Sequence, residues 1–153
     1  TAALTTATNL NTPSSAGCTL LVDCSSNDGA IIDSLSIIAN EAVTTASNVI
    51  VFISTATTSA SITTANTVAV AMGGITSVSK GDRTNISLPP LTVPVPNLAS
   101  PAATMAAYPT ETDKKNTGLY VPSSALVYVG VDAALTSPSA NTRVHVFAQG
   151  GFF

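Results

Sequence analysis

Between Cys18 and Phe153 the chain repeats one device: a short run of β-branched and aliphatic residues closed by Gly, Asn, Asp, Ser or Pro. CTLLVDC (18–24) is closed by SSNDG, AIIDSLSIIA (30–39) alternates only in part, and NVIVFIS (48–54) is apolar almost throughout. Runs this short, rich in Val, Ile and Phe and bounded by turn formers, fit pleated strands far better than helices. NVIVFIS, with almost no polar alternation, predicts a strand buried on both faces or nearly so.

The device continues in TVAVAMGGITSVSKGD, where Val68, Val70 and Met72 share one face ahead of Gly73-Gly74, a pair that suggests a bulge or tight turn. KGDR (80–83) reads as a turn, and TNISLPPLTV resumes an extended chain whose Pro89 and Pro90 confine it to an edge. The last third returns to strands in GLYVP, ALVYVGVDA and TRVHVFAQ. In the final run Val144, Val146 and Ala148 share a core face, with Arg143, His145 and Phe147 on the other. Gly150-Gly151 predicts a sharp turn after it, letting Phe152 and Phe153 fold back, one as a core plug and one as a subunit contact. Seven or eight such strands and almost no helix predict an all-β fold, an antiparallel β-sandwich of jelly-roll or similar Greek-key type.

A length of 153 residues suits one domain with a real core. Residues 1–17, small and polar without a period, read as an N-terminal arm, and 18–153 as a single sandwich domain. Inside it, 89–117 is a Pro-rich insertion or loop holding six of the nine prolines. SPAATMAAY offers one short helix there, with Ser100 as N-cap and Pro101 at the first helical position. Long loops in small domains are often functional, so this one is expected to contact a neighbour or project from the surface.

Charged residues make up 8% of the chain, against about 25% in ordinary soluble proteins. Ser, Thr, Asn and Ala have replaced them, leaving a wettable but nearly neutral surface. A free monomer usually keeps more charge, whereas a subunit packed into a large assembly does not need it; a stable extracellular β-domain is the other account. The net charge of −3, with Lys80, Arg83, Lys114, Lys115 and Arg143 as the cations, argues against nucleic-acid binding. No apolar run is long enough for a membrane helix, and no signal peptide opens the chain at Thr1.

Catalytic chemistry finds little support. His145 is the one histidine, and no nucleophile elbow accompanies it. Eight carboxylates are present, but no Trp and few aromatics could form a sugar platform for a glycosidase pair. SSNDG and KGDR lack the acidic spacing of a calcium loop, and no Gly-rich strand-to-helix turn marks a nucleotide site. Cys18 and Cys24, on one face of a strand, would stand roughly 20 Å apart, too far for a disulfide, and with one histidine they make a poor zinc site. The expectation is a protein that is not an enzyme and carries no cofactor or metal.

SSNDGAIIDSLSIIANEAVTTASNVIVFIS (25–54) resembles a pattern common in small virion proteins of tailed bacteriophages: an Asn/Gly turn, an I-x-S-L-x-I strand, a TT link and a strand ending near V-x-V-F-I. LYVPSSALVYVGVDA followed by VHVFAQGGFF is similar to the end of that pattern, with Phe152 standing where many members carry Asp. The resemblance implies a capsid decoration or cement protein: a β-sandwich on the outer surface of a phage head, made in the host cytoplasm, often a homotrimer at threefold positions. It would bridge neighbouring major capsid proteins and stabilise the shell. A tail, fibre or receptor-binding β-module is the second expectation; Tyr108, Tyr120 and Tyr128 look too scattered for the ligand-binding cluster such a module usually carries. The arm, the Pro-rich segment and the C-terminus are the expected interface, through Thr1, Leu4, Leu10, Pro94, Pro96, Tyr108, Phe152 and Phe153.

Overall fold

The computed structural model describes residues 2–4, 17–75, 77–88, 118–135 and 138–153. Within them lie nine strands: β1 (Ala2–Leu4), β2 (Thr19–Asp23), β3 (Gly29–Ala39), β4 (Asn48–Ser54), β5 (Thr67–Gly74), β6 (Arg83–Ile86), β7 (Leu119–Pro122), β8 (Leu126–Val131) and β9 (Val144–Phe152). One 3-10 turn, Ser59–Ser61, is the sole helical piece among the described residues.

All pairings between these strands are antiparallel, and they form two sheets. The first runs β1-β9-β3-β6, with β7 also on β3; the second runs β2-β8-β4-β5. Their facing sides share one apolar core. Leu35, Ile37 and Val146 from the first sheet meet Val49, Val51, Val127 and Val129 from the second, all fully buried. Each such side chain contributes about 1.5–3 kcal/mol of transfer free energy relative to exposure.

The partial alternation of AIIDSLSIIA has a physical cause. β3 pairs Ile32 with Gly150 and then Ser34 with Gln149, so Asp33 is an inserted residue. Ala30 and Ile32 face the core before this bulge and Leu35, Ile37 and Ala39 after it. A second bulge, at Leu21 in β2, separates the cysteines. Cys24 joins the main core while Cys18 joins a smaller cluster, so the shared face expected of the two is not found; they form no disulfide. Burial first, and the Asp23 charge second, push the Cys24 thiol up and keep it protonated.

The smaller cluster lies on the far side of the second sheet. Ile50, Phe52, Leu126 and Tyr128 are covered there by Ala56 and Ile62 from the segment after β4. The Tyr128 hydroxyl donates to the Ala56 carbonyl at 3.2 Å. β4 and β8 are therefore buried on both faces, as the run NVIVFIS predicts.

β6 and β7 lie end to end along one edge of β3. Ile86 stands opposite Leu35 and Leu119 opposite Ile32, so residues 87–118 leave and rejoin a single strand line. The two exits are about 10 Å apart along β3. The short helix expected near Ser100 and the course of the Pro-rich segment lie outside the described residues.

Three expectations are corrected. Ala2–Leu4, read as arm, forms an edge strand on β9, with Leu4 buried in the core at 2% exposure. Gly150 and Gly151 do not turn the chain; they continue β9 against β3. Val68 and Met72 do not share a face, because a bulge at Val70 sets Val68 opposite Ile53 and Met72 opposite Ile50; Gly73 and Gly74 simply end β5.

At the end of the sandwich where β3 finishes, Asp132 ties the β8–β9 connection to the start of β4. Its carboxylate accepts from the Asn48 backbone N–H and side-chain amide, both at 2.6 Å, and from the Ser47 hydroxyl at 3.0 Å. Burial pushes this carboxyl up, but the hydrogen bonds outweigh it and hold it below the usual range. A depressed folded value stabilises the fold above the unfolded value, about 3.9, and the contribution is lost as pH falls through the folded value. Asp132→Asn is thus expected to be less stable than the parent at pH 7, with the gap closing below about pH 4 in denaturant melts.

Candidate interaction surface

The C-terminus and β7 meet across the first residues of β3. Ile31 stands opposite Tyr120 on one side and Gly151 on the other, so Tyr120 and Ile31 point outward from the first sheet. Phe153 continues past β9: its backbone N–H donates to the Gly29 carbonyl, and its own carbonyl accepts from the Asp28 N–H, at 3.2 and 3.1 Å. That pair of bonds turns the Phe153 ring over Gly29, where an added Cβ would stand 3.0 Å from the ring. The ring stacks on Tyr120, centroids 6.0 Å apart and planes 17° from parallel.

These aromatics are open to solvent. Phe152 is 56% exposed, Phe153 55% and Tyr120 49%. Of the expected interface residues, then, Phe152 and Phe153 lie on the surface and neither plugs the core. Leu4 is inside the core, which removes its side chain from any contact. Thr1, Leu10, Pro94, Pro96 and Tyr108 lie outside the described residues.

Tyr120 was missed as a partner because the three tyrosines look scattered along the chain. The alternation of LYVP carried a signal, since Leu119 and Val121 face the core and force Tyr120 outward. Tyr128 is a core residue, 1% exposed, as the continuously apolar run around it implies.

Charge is not evenly spread around this surface. Asp23, Asp28 and Asp33 are exposed and lie toward the Gly29 end of the sandwich, with no cation among the described residues there. Lys80, Arg83 and Arg143 gather at the opposite end: Arg83 stands opposite Ile38, and the Arg143 carbonyl accepts from the Asn40 N–H. Glu41, Asp82 and Asp132 lie with them and balance the three cations at that end. Among the described residues the excess negative charge is therefore carried by the three aspartates at the aromatic end.

A polar row occupies the outer face of the first sheet nearer the other end. Arg83 donates to the Ser36 hydroxyl at 2.7 Å, which donates in turn to Asn85 at 3.2 Å. His145 sits half-buried opposite Ile38, on that same face. At the sheet edge, β1 covers β9 only from Val144 to Val146, so among the described residues the outer edge from Phe147 to Phe152 has no strand partner. Among the described residues no three of His, Cys, Asp and Glu come together as metal ligands would.

No protein-family model matches the chain, and neither the curated proteins nor the solved structures include a match.

Proposed function

We propose that this chain is a structural virion protein of the capsid decoration or cement type, binding the outer surface of a phage head and bridging major capsid proteins. Its action is binding energy alone, without catalysis or a cofactor. Many copies bury neutral polar and apolar surface against the shell and so favour the bound, closed state by mass action. A closed homotrimer fits such a role.

The observation that carries the reading is the solvent-open Tyr120–Phe153 stack, with Phe152, opposite Ala30, also exposed at the end of β9, on a domain poor in charge. Contiguous exposed aromatics mark interaction sites, and aromatics anchor protein interfaces out of proportion to their number. Among the described residues the edge of β9 beyond Val146 has no strand partner, which adds to this, because unpaired strand edges in stable proteins are usually covered. A jelly-roll sandwich is the fold proposed with it. The strand order β1-β9-β3-β6 over β2-β8-β4-β5 supports that choice, since the chain passes between sheets at every connection except β4–β5 and β6–β7.

Counting the chain in purified particles tests the reading. A copy number near that of the major capsid protein is expected. A handful of copies would favour a tail, fibre or receptor-binding module, which the aromatic cluster also suits, and a monomer with no particle association overturns the assignment.

The contact segments need a variant that spares the fold. Deleting residues 1–17 removes β1 and buried Leu4, so it confounds binding with stability. Replacing 89–117 by a short Gly-Ser linker is the cleaner change, because the exits at Ile86 and Leu119 sit on one strand line. The shortened chain is expected to keep its melting cooperativity and lose occupancy on particles; unchanged occupancy would remove the segment from the interface.

A further inference from the structure

We infer that the aromatic end of the domain is a docking surface for an arginine-bearing patch of a partner protein. This rests on the structural-protein reading and specifies which end of the sandwich meets the shell. The surface has an apolar centre, the Tyr120–Phe153 stack, and exposed carboxylates near it in Asp28 and Asp33, with Asp23 at the same end. The Asp28 backbone N–H donates to the Phe153 carbonyl, which holds this residue's backbone next to the stack, and Asp33 lies two residues past Ile31 on β3.

Charge complementarity selects the occupant. Three exposed carboxylates with no described cation nearby make a field that a basic surface satisfies and an acidic one does not. A second copy docking through this same surface would set Asp28 and Asp33 against their own equivalents, so self-association here is disfavoured. Arginine fits better than lysine because its planar guanidinium lies over an exposed ring face and still forks onto a carboxylate. Tyr120 and Phe153 are exposed for the stacking contact, and Asp28 and Asp33, exposed at backbone positions near them, are the carboxylates we assign to the fork. Burial of the stack then excludes water from the ion pairs, which strengthens them relative to exposed ones.

The test is an NMR titration of the full-length, isotope-labelled chain with hexa-arginine, hexalysine and hexaglutamate peptides. Saturable shifts are expected at Asp28, Gly29, Asp33, Tyr120 and Phe153 with hexa-arginine, weaker ones with hexalysine and none with hexaglutamate. Tyr120→Ser keeps every charge and is expected to weaken hexa-arginine binding about threefold to tenfold. The Asp28→Asn/Asp33→Asn pair is expected to remove most of its salt dependence. Absence of saturable shifts overturns the inference, and so does equal binding of hexalysine together with indifference to Tyr120→Ser, which would leave only diffuse charge. Particle occupancy of the combined Asp28→Asn/Asp33→Asn/Tyr120→Ser variant, its fold checked by the same spectra, separates the two levels. Full occupancy overturns this docking surface and leaves the cement role standing. Arginine-specific binding by a chain that never enters particles supports the surface and sinks the role.

Discussion

Gly150→Ala is expected to lower the unfolding free energy by about 3 kcal/mol, while the neighbouring Gly151→Ala stays within about 0.5 kcal/mol. A Cβ at Gly150 would run into the Ile31 carbonyl oxygen and stand 2.9 Å from the Ile32 Cα, whereas one at Gly151 meets nothing within 4 Å. The obstacles at Gly150 are backbone atoms of β3 beside the Asp33 bulge, so no side-chain rotation relieves them. Only separating the two strands would, and close-packed interiors resist that. For a chain of this length 3 kcal/mol corresponds to a fall in Tm of about 6–12 °C, readable in paired thermal melts. The sequence-based reading of the glycine pair as a turn makes the opposite claim, that both positions are needed alike. Equal losses at the two sites would count against the close approach of β9 to β3 at Gly150.

The comparison of these two glycines illustrates what the residues disclose on their own. NVIVFIS and ALVYVGVDA announce buried strands because continuous apolar runs of that length have few other uses, and the valine face of β9 follows from period two alone. Bulges are less visible, since an extra residue is defined by the strand across from it. Leu21, Asp33 and Val70 each shift the phase of their strand: the first and last misplace a neighbour in the sequence reading, Cys18 against Cys24 and Val68 against Met72, and Asp33 produces the partial alternation of AIIDSLSIIA. β1 has no local signal either, because three residues become a strand only where β9 supplies the partner edge. The aromatic surface is the extreme case. Tyr120 and Phe153 are separated by most of two strands and a connection, and only the order β7-β3-β9 brings them together. The gathering of Asp23, Asp28 and Asp33 toward that end depends on the same topology. The terminal phenylalanines stand out in the sequence, but that both are exposed and that Phe153 stacks on Tyr120 could not be read from it.

Phe52→Ala is expected to cost about 3–5 kcal/mol, a fall in Tm of about 6–20 °C. Phe52 is fully buried on the far side of the second sheet, in the cluster roofed by Ala56 and Ile62. Truncation there leaves a cavity that the sheet cannot fill, because Ile50 and Tyr128 on either side are themselves held by β-pairing. The roof should loosen before the sheet does, so amide exchange at Ala56 and Ile62 is expected to accelerate more than at Val51 or Val129. Val68→Ala, at an edge position 60% exposed, is the control and should stay within about 0.5 kcal/mol. The larger consequence concerns function. The roof of Ala56 and Ile62 covers the middle of the second sheet's outer face and leaves Leu20 and Met72 open on its flanking strands, so the proposed contacts are assigned to the stacked aromatics of the first sheet rather than to the Phe52 cluster. Phe52→Ala should accordingly reduce thermal stability while leaving particle occupancy unchanged at temperatures where the variant is folded. Occupancy that falls while the spectra still show a native fold would move the partner surface to the second sheet and its roof.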